Sequence, residues 1–504
     1  MSRESRLPAL GPIGLFVVAW IFQGLVSPAI LPAQTTSQIP EETRPNILFA
    51  IADDWGWPHA GAYQDPVVQT PTFDRLAKEG LLCHQAFVSA PSCTPSRGAI
   101  LSGRFHWKLG PSANLYGPFP DAVPTYPELL EKTGYRIGKT SKCWGPGVPE
   151  TKDRRLGGVH FKNFEAFLDS VPTGPNGQPF CFWLGSADPH RPYDRGTGKK
   201  SGMDLDNIQL PACFPDSETV RNDVADYYFE VQRFDRVVGQ AVELLEKRGL
   251  LDSTIVVMTG DHGMPFPRCK GNLYDTGTRV PLALRFPAKI QAGTETPALI
   301  SLTDLAPTFL ELGQTEVPSE ITGRSLTDVF AGQPLPERDN VVFGKERHCP
   351  TQEAPNHGGY PCRGLRTQKF LYIRNYFPDR WPAGTPNWEK AWKDGAWLSD
   401  SDNGPTKTEI AINLEPDNRY FQWCFAKRPA EELYDLASDP DQLNNVAEST
   451  EYAGALEKLR EQMDRRLADT HDPRSENPNA EIDQYLPYTG GSPKHPDYRP
   501  TSGR

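Results

Sequence analysis

Acidic and histidine side chains directly follow three apolar segments of the chain. They are Asp53 and Asp54 after residues 46–52, Asp188 and His190 after residues 180–184, and Asp261 and His262 after residues 254–259. Carboxylates that converge at one place repel one another unless a cation lies between them. Carboxylate-rich ligation favours Ca²⁺ or Mg²⁺, and one imidazole leaves Zn²⁺ or Mn²⁺ open. We therefore expect Asp53, Asp54, Asp261 and His262 to ligate a divalent metal ion.

The segment 89–104 places a cysteine where an anion would bind. Pro95 suits the first turn of a helix, so Cys93 would lie at a helix N-terminus, where free N–H groups and the helix dipole attract negative charge. Arg97 lies one turn further on and could reach the same anion. From position alone, Cys93 is either an activated thiolate or an inert core residue.

The three apolar segments have the length of β-strands and are apolar throughout, which is typical of parallel strands buried on both faces. The carboxyl ends of parallel strands meet at one edge of a sheet, where α/β proteins place their sites. A helical period of apolar residues runs from about 217 to 247. This alternation predicts a doubly wound α/β domain, with a large, mostly parallel sheet flanked by helices.

The sequence pattern changes near residue 333. After this point there are short strand-like segments, such as 369–373, and a late helix from 452 to about 468. We expect a linker at 34–43, a catalytic domain at 44–332, a smaller α+β domain at 333–472 and an irregular tail at 473–504. The 504 residues are enough for two domains. A net charge of −11 argues against a nucleic-acid partner.

The N-terminal segment has the features of a targeting signal. Arg3 and Arg6 precede an apolar run at 13–22, and prolines and small residues follow up to Ala33. This pattern is typical of a cleaved secretory signal peptide, here at 1–33. The run is shorter than the roughly 20 apolar residues of a membrane span. We expect a secreted or periplasmic protein with no integral membrane span in the mature chain, and the alternative is retention by this segment as an anchor.

Nine cysteines in an exported chain favour disulfide pairing, and their odd number leaves at least one without an intramolecular partner. Cys349 and Cys362 bracket a loop rich in proline and glycine, which a disulfide would close. We expect Cys93 to remain unpaired.

Cys93-x-Pro95-Ser96-Arg97 followed by Leu101-Ser102-Gly103-Arg104 resembles the signature of the type I sulfatases, in which that cysteine is oxidised to formylglycine. Further family marks occur in the expected order from about residue 44 to 472. They are 53–54, 134–139, 188–190, 261–263, 270–274, 279–281 and 432–445. The resemblance implies an alkaline-phosphatase-like sulfatase fold. Short strings at 187–191, 263–267, 272–274 and 470–473 resemble the heparan N-sulfatases in particular.

The resemblance implies an enzyme that removes sulfate from a sulfated glycan, with the N-sulfate of glucosamine in heparan-type chains as the first candidate. The hydrated aldehyde at position 93 would attack sulfur, and its second hydroxyl would release sulfate by elimination. Ca²⁺ or Mg²⁺ would be held by Asp53, Asp54, Asp261, His262 and the modified Cys93. A formylglycine-generating enzyme or an anaerobic sulfatase-maturing enzyme would convert Cys93.

Further roles follow from the same resemblance. Arg97 would hold the formylglycine, Lys139 and Lys270 would neutralise sulfate oxygens, and His190 would protonate the leaving atom. The loop between Cys349 and Cys362 and its flanks would overhang the pocket. The residues there that would contact a glycan carboxylate or sulfate are Arg347, His348 and Arg363.

The chain departs from the family pattern after Lys139. The family commonly has a histidine two or three residues later, where this chain has Ser141 and Lys142. Lys142 would replace that histidine as a cation, or His348 or His357 would reach in from a loop.

A second departure concerns His262, since heparan N-sulfatases have asparagine at this position and other sulfatases have histidine. One alternative is therefore a sugar O-sulfate ester hydrolase. Another is a phosphoester or phosphonate ester hydrolase of the same superfamily, because the sites of these enzymes can look similar. The change after Lys139 adds a third alternative, an inactive sulfoglycan-binding protein.

Overall fold

The computed structural model describes residues 44–172, 177–332, 338–485 and 494–497. The predicted signal peptide at 1–33 and linker at 34–43 lie outside these residues, and so do residues 333–337 at the predicted domain boundary. Within the described ranges, no helix combines the length and apolarity that a membrane crossing requires.

Two β-sheets account for the strands of the described residues. The larger sheet contains β1 (Asn46–Ala52), β2 (Leu81–Phe87), β3 (Arg136–Thr140), β4 (Val159–His160), β5 (Phe180–Gly185), β6 (Thr254–Gly260), β7 (Arg279–Arg285) and β8 (Thr294–Ser301). The smaller one contains β9 (Asn340–Lys345), β10 (Cys362–Thr367), β11 (Phe370–Asn375) and β12 (Glu431–Asp435).

The strand order of the larger sheet is β4-β3-β5-β1-β6-β7-β2-β8. The first five strands are parallel, and β7 is antiparallel to its two neighbours. In this register Ile51 lies opposite Gly185, and Ala52 lies opposite Gly260. The polar residues that follow β1, β5 and β6 therefore leave the sheet at the same edge, as the sequence predicts. The predicted α/β fold class is confirmed.

Helices cover both faces of this sheet, and alternate residues of β1 are buried in the two layers. The long α6 covers one face, and its 30 residues agree closely with the predicted span. The helices of the described residues up to the second sheet are α1 (Pro71–Lys78), α2 (Cys93–Ser102), α3 (Tyr126–Lys132), α4 (Phe164–Asp169), α5 (Thr197–Lys200), α6 (Glu218–Lys247), α7 (Asp275–Thr278), α8 (Leu305–Leu312) and α9 (Thr327–Phe330).

The smaller sheet is antiparallel, in the order β12-β11-β10-β9. The helix α12 (Ala453–Asp469) packs its apolar residues against Val342, Leu365 and Tyr372 of this sheet, and it matches the predicted late helix. The other helices of this part are α10 (Pro405–Thr408), α11 (Arg419–Phe425) and α13 (Pro473–Glu476). Residues 473–485 are more ordered than the expected irregular tail, because Asp483 is buried against Arg474 and Arg380.

All nine cysteines lie in the part of the chain that the structure describes, and none of them forms a disulfide there, so the disulfide expected between Cys349 and Cys362 is wrong. Cys349 packs beside Cys93 and Leu115, whereas Cys362 begins β10 and is buried in a different apolar cluster. The two side chains thus belong to separate parts of the core. Cys93 is unpaired, as expected.

Candidate active site

The first two acidic residues of the site follow β1 directly. Asp53 and Asp54 are both buried, and Asp54 adopts the left-handed conformation with φ of 75°, which aspartate tolerates better than most residues. The Asp54 N–H donates to Oδ1 of Asp261 over 2.9 Å. This turn brings two consecutive carboxylates to the residue that follows β6.

Cys93 is the first residue of α2, and Ser92 is its N-cap. Its Sγ lies 3.3 Å from Nε2 of His262 and 3.7 Å from Oδ1 of Asp53. Burial raises the pKa of the Cys93 thiol above its usual range, and the nearby lysines offset this only partly. An unmodified Cys93 is therefore a protonated thiol at neutral pH rather than an activated thiolate.

The ring of His262 presents one nitrogen to this cluster. Its Nδ1 lies 3.1 Å from the Gly263 carbonyl oxygen, which can only accept, so Nδ1 carries the proton and the lone pair is on Nε2. Gly263 is required here, because a Cβ at this position would lie 1.9 Å from the Thr276 carbonyl oxygen.

These residues fit a divalent cation. Ligand atoms of Asp53, Cys93, Asp261 and His262 all lie within 4.8 Å of one another. Oδ1 of Asp54 is buried without a hydrogen-bond partner and lies 3.3 Å from Nε2 of His262. Buried carboxylate oxygens are normally paired, so an unpaired one that faces an imidazole nitrogen indicates a ligand position. The set of predicted metal ligands is thus assembled by the fold.

Arg97 lies beneath the acidic cluster and is fully buried. Its Nε donates to Oδ2 of Asp261 over 2.7 Å, and its guanidinium also contacts Asp53 and the Lys142 carbonyl oxygen. The short ion pair with Asp261 keeps this guanidinium charged and immobile. Arg97 therefore lies against the acidic residues of the site, and its contact with a formylglycine at position 93 stays a prediction.

The structure brings Lys142 to the site instead of Lys139. Nζ of Lys142 lies 2.6 and 2.7 Å from the two carboxylate oxygens of Asp53. Lys139 is within β3, opposite Trp183, and its stem lies beside Gly157. The chain turns after the strand at Ser141, whose φ is 48°. The position of Lys142 fits the alternative in which it replaces the absent histidine as a cation, and the contact of Lys139 with sulfate oxygens stays a prediction.

The two ionic partners also shift one another's pKa values. Burial raises the pKa of Asp53, but the nearby cations, first Lys142 and then Arg97, together lower it by more. The pKa of Asp53 therefore lies well below its usual range. Burial lowers the pKa of Lys142, but Asp53 and the other anionic neighbours together raise it by more, so that it lies above its usual value. Both groups are charged at neutral pH.

Lys270 and His190 lie at the other side of Asp54. Nζ of Lys270 lies 2.9 Å from Oδ2 of Asp54 and 2.9 Å from Oδ2 of Asp402. His190 is about one third exposed, and its Nε2 lies 3.9 Å from Oδ2 of Asp54. Nδ1 of His190 is 2.5 Å from the Arg191 carbonyl oxygen, which directs Nε2 towards the site.

Of the three residues predicted to contact the glycan, only His348 lies near the cluster. Its Nδ1 is 2.8 Å from Oγ of Ser92, the residue before Cys93. Arg363 is buried between Asp472 and Glu346, and Arg347 donates to the carbonyl oxygens of Asp483 and Tyr485. These two arginines connect the C-terminal segment to the fold, so the prediction of their contact with substrate is not supported. His357 contacts the Gln484 carbonyl oxygen, also away from the cluster.

Asp402 is the residue of this site that sequence reasoning missed. It stands in the polar run 399–404, far along the chain from the family marks around Cys93 and Asp261. Such a run reads as an ordinary surface loop, and no local pattern distinguishes it.

A cavity of about 650 Å³ adjoins the cluster at Asp53, Lys142 and His190. Tyr116, Trp144 and Asp188 also line it. The aromatic and polar lining and the volume are typical of a small-molecule pocket.

Two family models match the chain. One is "Sulfatase", over residues 45–315, and the other is "N-sulphoglucosamine sulphohydrolase, C-terminal", over residues 260–382. The first covers more than half of the chain, so the protein belongs to the sulfatase family and is a sulfuric ester hydrolase by class.

Curated relatives agree with this assignment. The chain is 28% identical over 492 residues to human N-sulphoglucosamine sulphohydrolase, covering 88% of this chain and 93% of that protein. It is 28% identical over 481 residues to an ulvan-active sulfatase of Formosa agariphila, covering 86% and 76%. The predicted resemblance to the N-sulfatase branch is confirmed at this level.

Solved structures share the fold. One was determined in complex with its substrate D-glucosamine-2-N,6-O-disulfate, with a TM-score of 0.59, 20% identity and coverage of 88% of this chain and 100% of that chain. Another is a phosphonate monoester hydrolase from Silicibacter pomeroyi, with a TM-score of 0.62, 18% identity and coverage of 85% and 96%. These likenesses establish the alkaline-phosphatase-like sulfatase fold. They do not identify the substrate of this protein.

Proposed function

We propose that this protein is an exported sulfatase that removes sulfate from a sulfated glycan, with Cys93 converted to formylglycine and a Ca²⁺ ion at the acidic cluster. The observation that carries the proposal is the position of Cys93. Cys93 begins a buried helix, and its Sγ lies 3.7 Å from Oδ1 of Asp53 and 3.3 Å from Nε2 of His262. Arg97 and Lys142 both bind the carboxylate of Asp53. A residue oxidised at this position would stand among metal ligands and fixed cations.

The metal would be held by Asp53, Asp54, Asp261, His262 and the residue at 93. When bound, it would supply Lewis-acid chemistry, lowering the pKa of a hydroxyl and withdrawing charge from sulfate oxygens. The hydrated aldehyde of formylglycine would supply one hydroxyl for attack on sulfur and a second that permits elimination of sulfate.

The protein's own side chains supply fixed charge and a proton. Lys142 and Lys270 each hold an ammonium group next to the cluster, on different carboxylates, so they would meet the sulfate oxygens from two sides. His190 presents Nε2 at the cavity, in the position of an acid that protonates the leaving oxygen or nitrogen. Arg97 holds Asp261 and Asp53 in place from below.

The preferred substrate in this proposal is the N-sulfate of glucosamine in heparan-type chains. Its support is the match of residues 260–382 to the C-terminal model of N-sulphoglucosamine sulphohydrolase and the resemblance to the human enzyme of that name. A sugar O-sulfate ester is the second candidate. It is favoured by His262, since N-sulfatases of the family have asparagine there.

The test is sulfate release by the protein produced with a formylglycine-generating enzyme, from paired oligosaccharides with only an N-sulfate or only a 6-O-sulfate on glucosamine. Release from the N-sulfated sugar alone supports the first candidate, and release from the O-sulfated sugar alone supports the second. Cleavage of a phosphonate or phosphate ester without sulfate release would contradict both. Binding without turnover, with Cys93 fully converted, would indicate a sulfoglycan-binding protein.

Export is part of this proposal and rests on the N-terminal sequence. Expression of the full chain in a bacterial host, followed by fractionation and N-terminal sequencing of the secreted or periplasmic protein, tests it. A mature N-terminus near residue 34 is expected, and an intact N-terminus in the membrane fraction would indicate an anchor.

A further inference from the structure

A carboxylate from the loop before α10 reaches the catalytic site. Asp402 belongs to the segment 397–403, between β11 and α10, and its Oδ2 lies 2.9 Å from Nζ of Lys270. Its carboxylate and ligand atoms of His190 and Asp54 all lie within 4.8 Å of one another. Asp402 is therefore a neighbour of both the proposed proton donor and a proposed sulfate-binding cation.

The segment that carries Asp402 is fixed from below. Nζ of the buried Lys407 donates to the carbonyl oxygens of Trp397 and Ser401 over 3.1 and 2.8 Å and to Oδ1 of Asn403 over 3.0 Å. These bonds hold both sides of Asp402. The buried Asp400 adds a second anchor, because its carboxylate binds Nζ of Lys345 over 3.0 Å and the Cys349 N–H over 2.8 Å.

Asp402 differs from the acids at the metal cluster in its exposure. Its side chain is 18% exposed, whereas that of Asp54 is 0% exposed and that of Lys270 is 2% exposed. Asp402 thus lies on the solvent side of Lys270. His190 lines the cavity, and one of its ring nitrogens lies within 4.8 Å of the Asp402 carboxylate, so a sugar that contacts His190 from the cavity would lie near this carboxylate.

The arrangement does not describe a second metal site. The ammonium group of Lys270 lies 2.9 Å from an oxygen of Asp54 and 2.9 Å from one of Asp402, so a cation already lies between the two acids. Lys270 therefore compensates the charge of both acids, and the geometry does not call for a metal ion between them.

We propose that Asp402 is a specificity residue that contacts the sugar. Its carboxylate accepts a hydrogen bond from a hydroxyl or N–H group beside the scissile sulfate, and it disfavours substrates with a second anionic group at that position. This inference rests on the proposed function, because it names a residue that contacts the sugar in the same catalytic site.

The proposed selectivity results from the opposite charges on the two sides of the Lys270 ammonium group. On the inner side, Lys142 and Lys270 attract the sulfate that is to be removed. On the outer side, a fixed carboxylate repels any further sulfate or carboxylate, and like charges in contact cost several kcal/mol in recognition generally. A hydroxyl at the same place would instead gain a charge-assisted hydrogen bond. The pocket would therefore select the number and position of anionic groups on one sugar.

The experiment uses the formylglycine-containing protein and three sugars. They are glucosamine that carries only an N-sulfate, the N,3-O-disulfated form and the N,6-O-disulfated form. We measure kcat/KM for each sugar with the wild type and with Asp402→Asn, which keeps the shape and removes the charge. The variant is expected to raise the disulfated-to-monosulfated ratio of kcat/KM about tenfold or more for at least one disulfated sugar. Asp402→Glu keeps the charge and is expected to keep the wild-type preference.

Glu389→Gln is the matched control, since it removes one negative charge from an exposed residue of the same part of the chain. It should leave the ratio unchanged. An Asp402→Asn protein whose ratio equals that of the wild type for both disulfated sugars would overturn the proposal.

A wild type that releases no sulfate from any of the three sugars would contradict the proposed function without deciding the role of Asp402. For that reason, dissociation constants for the same sugars are measured by calorimetry with Cys93→Ala and with Cys93→Ala combined with Asp402→Asn. The same change in the ratio of dissociation constants supports the proposal, and an unchanged ratio overturns it.

Discussion

The ammonium nitrogen of Lys142 lies 2.6 Å from Oδ1 and 2.7 Å from Oδ2 of Asp53, so this lysine binds both oxygens of a proposed metal ligand. Lys139 is three residues earlier in the sequence and is part of β3. Lys142 is therefore the lysine of this segment that binds a carboxylate of the site. The sequence alone does not distinguish it from Lys139 in this respect.

Replacing Lys142 should reduce catalysis far more than replacing Lys139. Lys142→Gln is expected to lower kcat/KM for the sulfated sugar about 100- to 1,000-fold, the usual effect of removing one preorganised group that stabilises transition-state charge. Lys139→Gln is the matched control and is expected to retain most of the activity. A greater loss with Lys139→Gln than with Lys142→Gln would restore the original assignment.

Cys93→Ala should abolish turnover and leave the fold intact. The side chain is buried and small, and alanine fits its place at the start of α2 without introducing a polar group. Sulfate release measures the first effect, and circular dichroism with thermal unfolding measures the second. Mass spectrometry of the wild type should find formylglycine at residue 93, and turnover by the alanine variant would refute the mechanism.

A divalent cation should stabilise the protein through Asp54. At a Ca²⁺ concentration 100 times its Kd, a site that exists only in the folded state adds about 2.7 kcal/mol to the free energy of unfolding. The Tm of chelator-treated protein should therefore rise when Ca²⁺ is added. Asp54→Asn removes the charge of the unpaired Oδ1 and should reduce this rise. An equal rise in the variant would exclude Asp54 as a ligand.

The free energy of unfolding should fall on acidification below about pH 6.5. Burial lowers the pKa of His59 to about 4, so between these pH values the unfolded chain binds the proton and the folded chain does not. The contribution of His59 is thus complete above pH 6.5 and is lost as pH falls towards 4, by about 3 kcal/mol. Urea unfolding between pH 7.5 and 4.5 measures it. His59→Gln should have a shallower pH dependence, and His84→Gln, at a partly exposed histidine, should keep that of the wild type.

The ion pairs of Arg363 should contribute to stability rather than to substrate binding. The guanidinium is fully buried between Asp472 and Glu346, and Arg363→Met would leave the buried carboxylate of Asp472 without its guanidinium partner, at a cost of about 3–5 kcal/mol. Arg374, opposite Arg363 in the β10–β11 register, pairs with the exposed Asp464 at the surface. Arg374→Met should therefore cost about 1 kcal/mol or less. A raised KM with unchanged stability in Arg363→Met would favour the original prediction of substrate contact.

The amino-acid sequence by itself determined the sheet and the centre of the site. Asp53, Asp54, Asp261 and His262 directly follow buried strands, and Cys93 begins a helix, so each lies within a residue or two of an element with a clear pattern. Parallel strands in register then bring these positions to one sheet edge. Local signals are sufficient wherever the functional residue is adjacent to such an element.

Only the tertiary structure decided the remaining residues. Lys142 reaches Asp53 because of a left-handed turn at Ser141, and Asp402 reaches Lys270 from a polar loop more than 100 residues later. The ion pair of Arg363 with Asp472 and the separation of the cysteines at 349 and 362 depend on packing in the same way, since their partners lie in segments distant in sequence. Their roles depend on which segments pack together, and packing is set by the whole core rather than by local pattern.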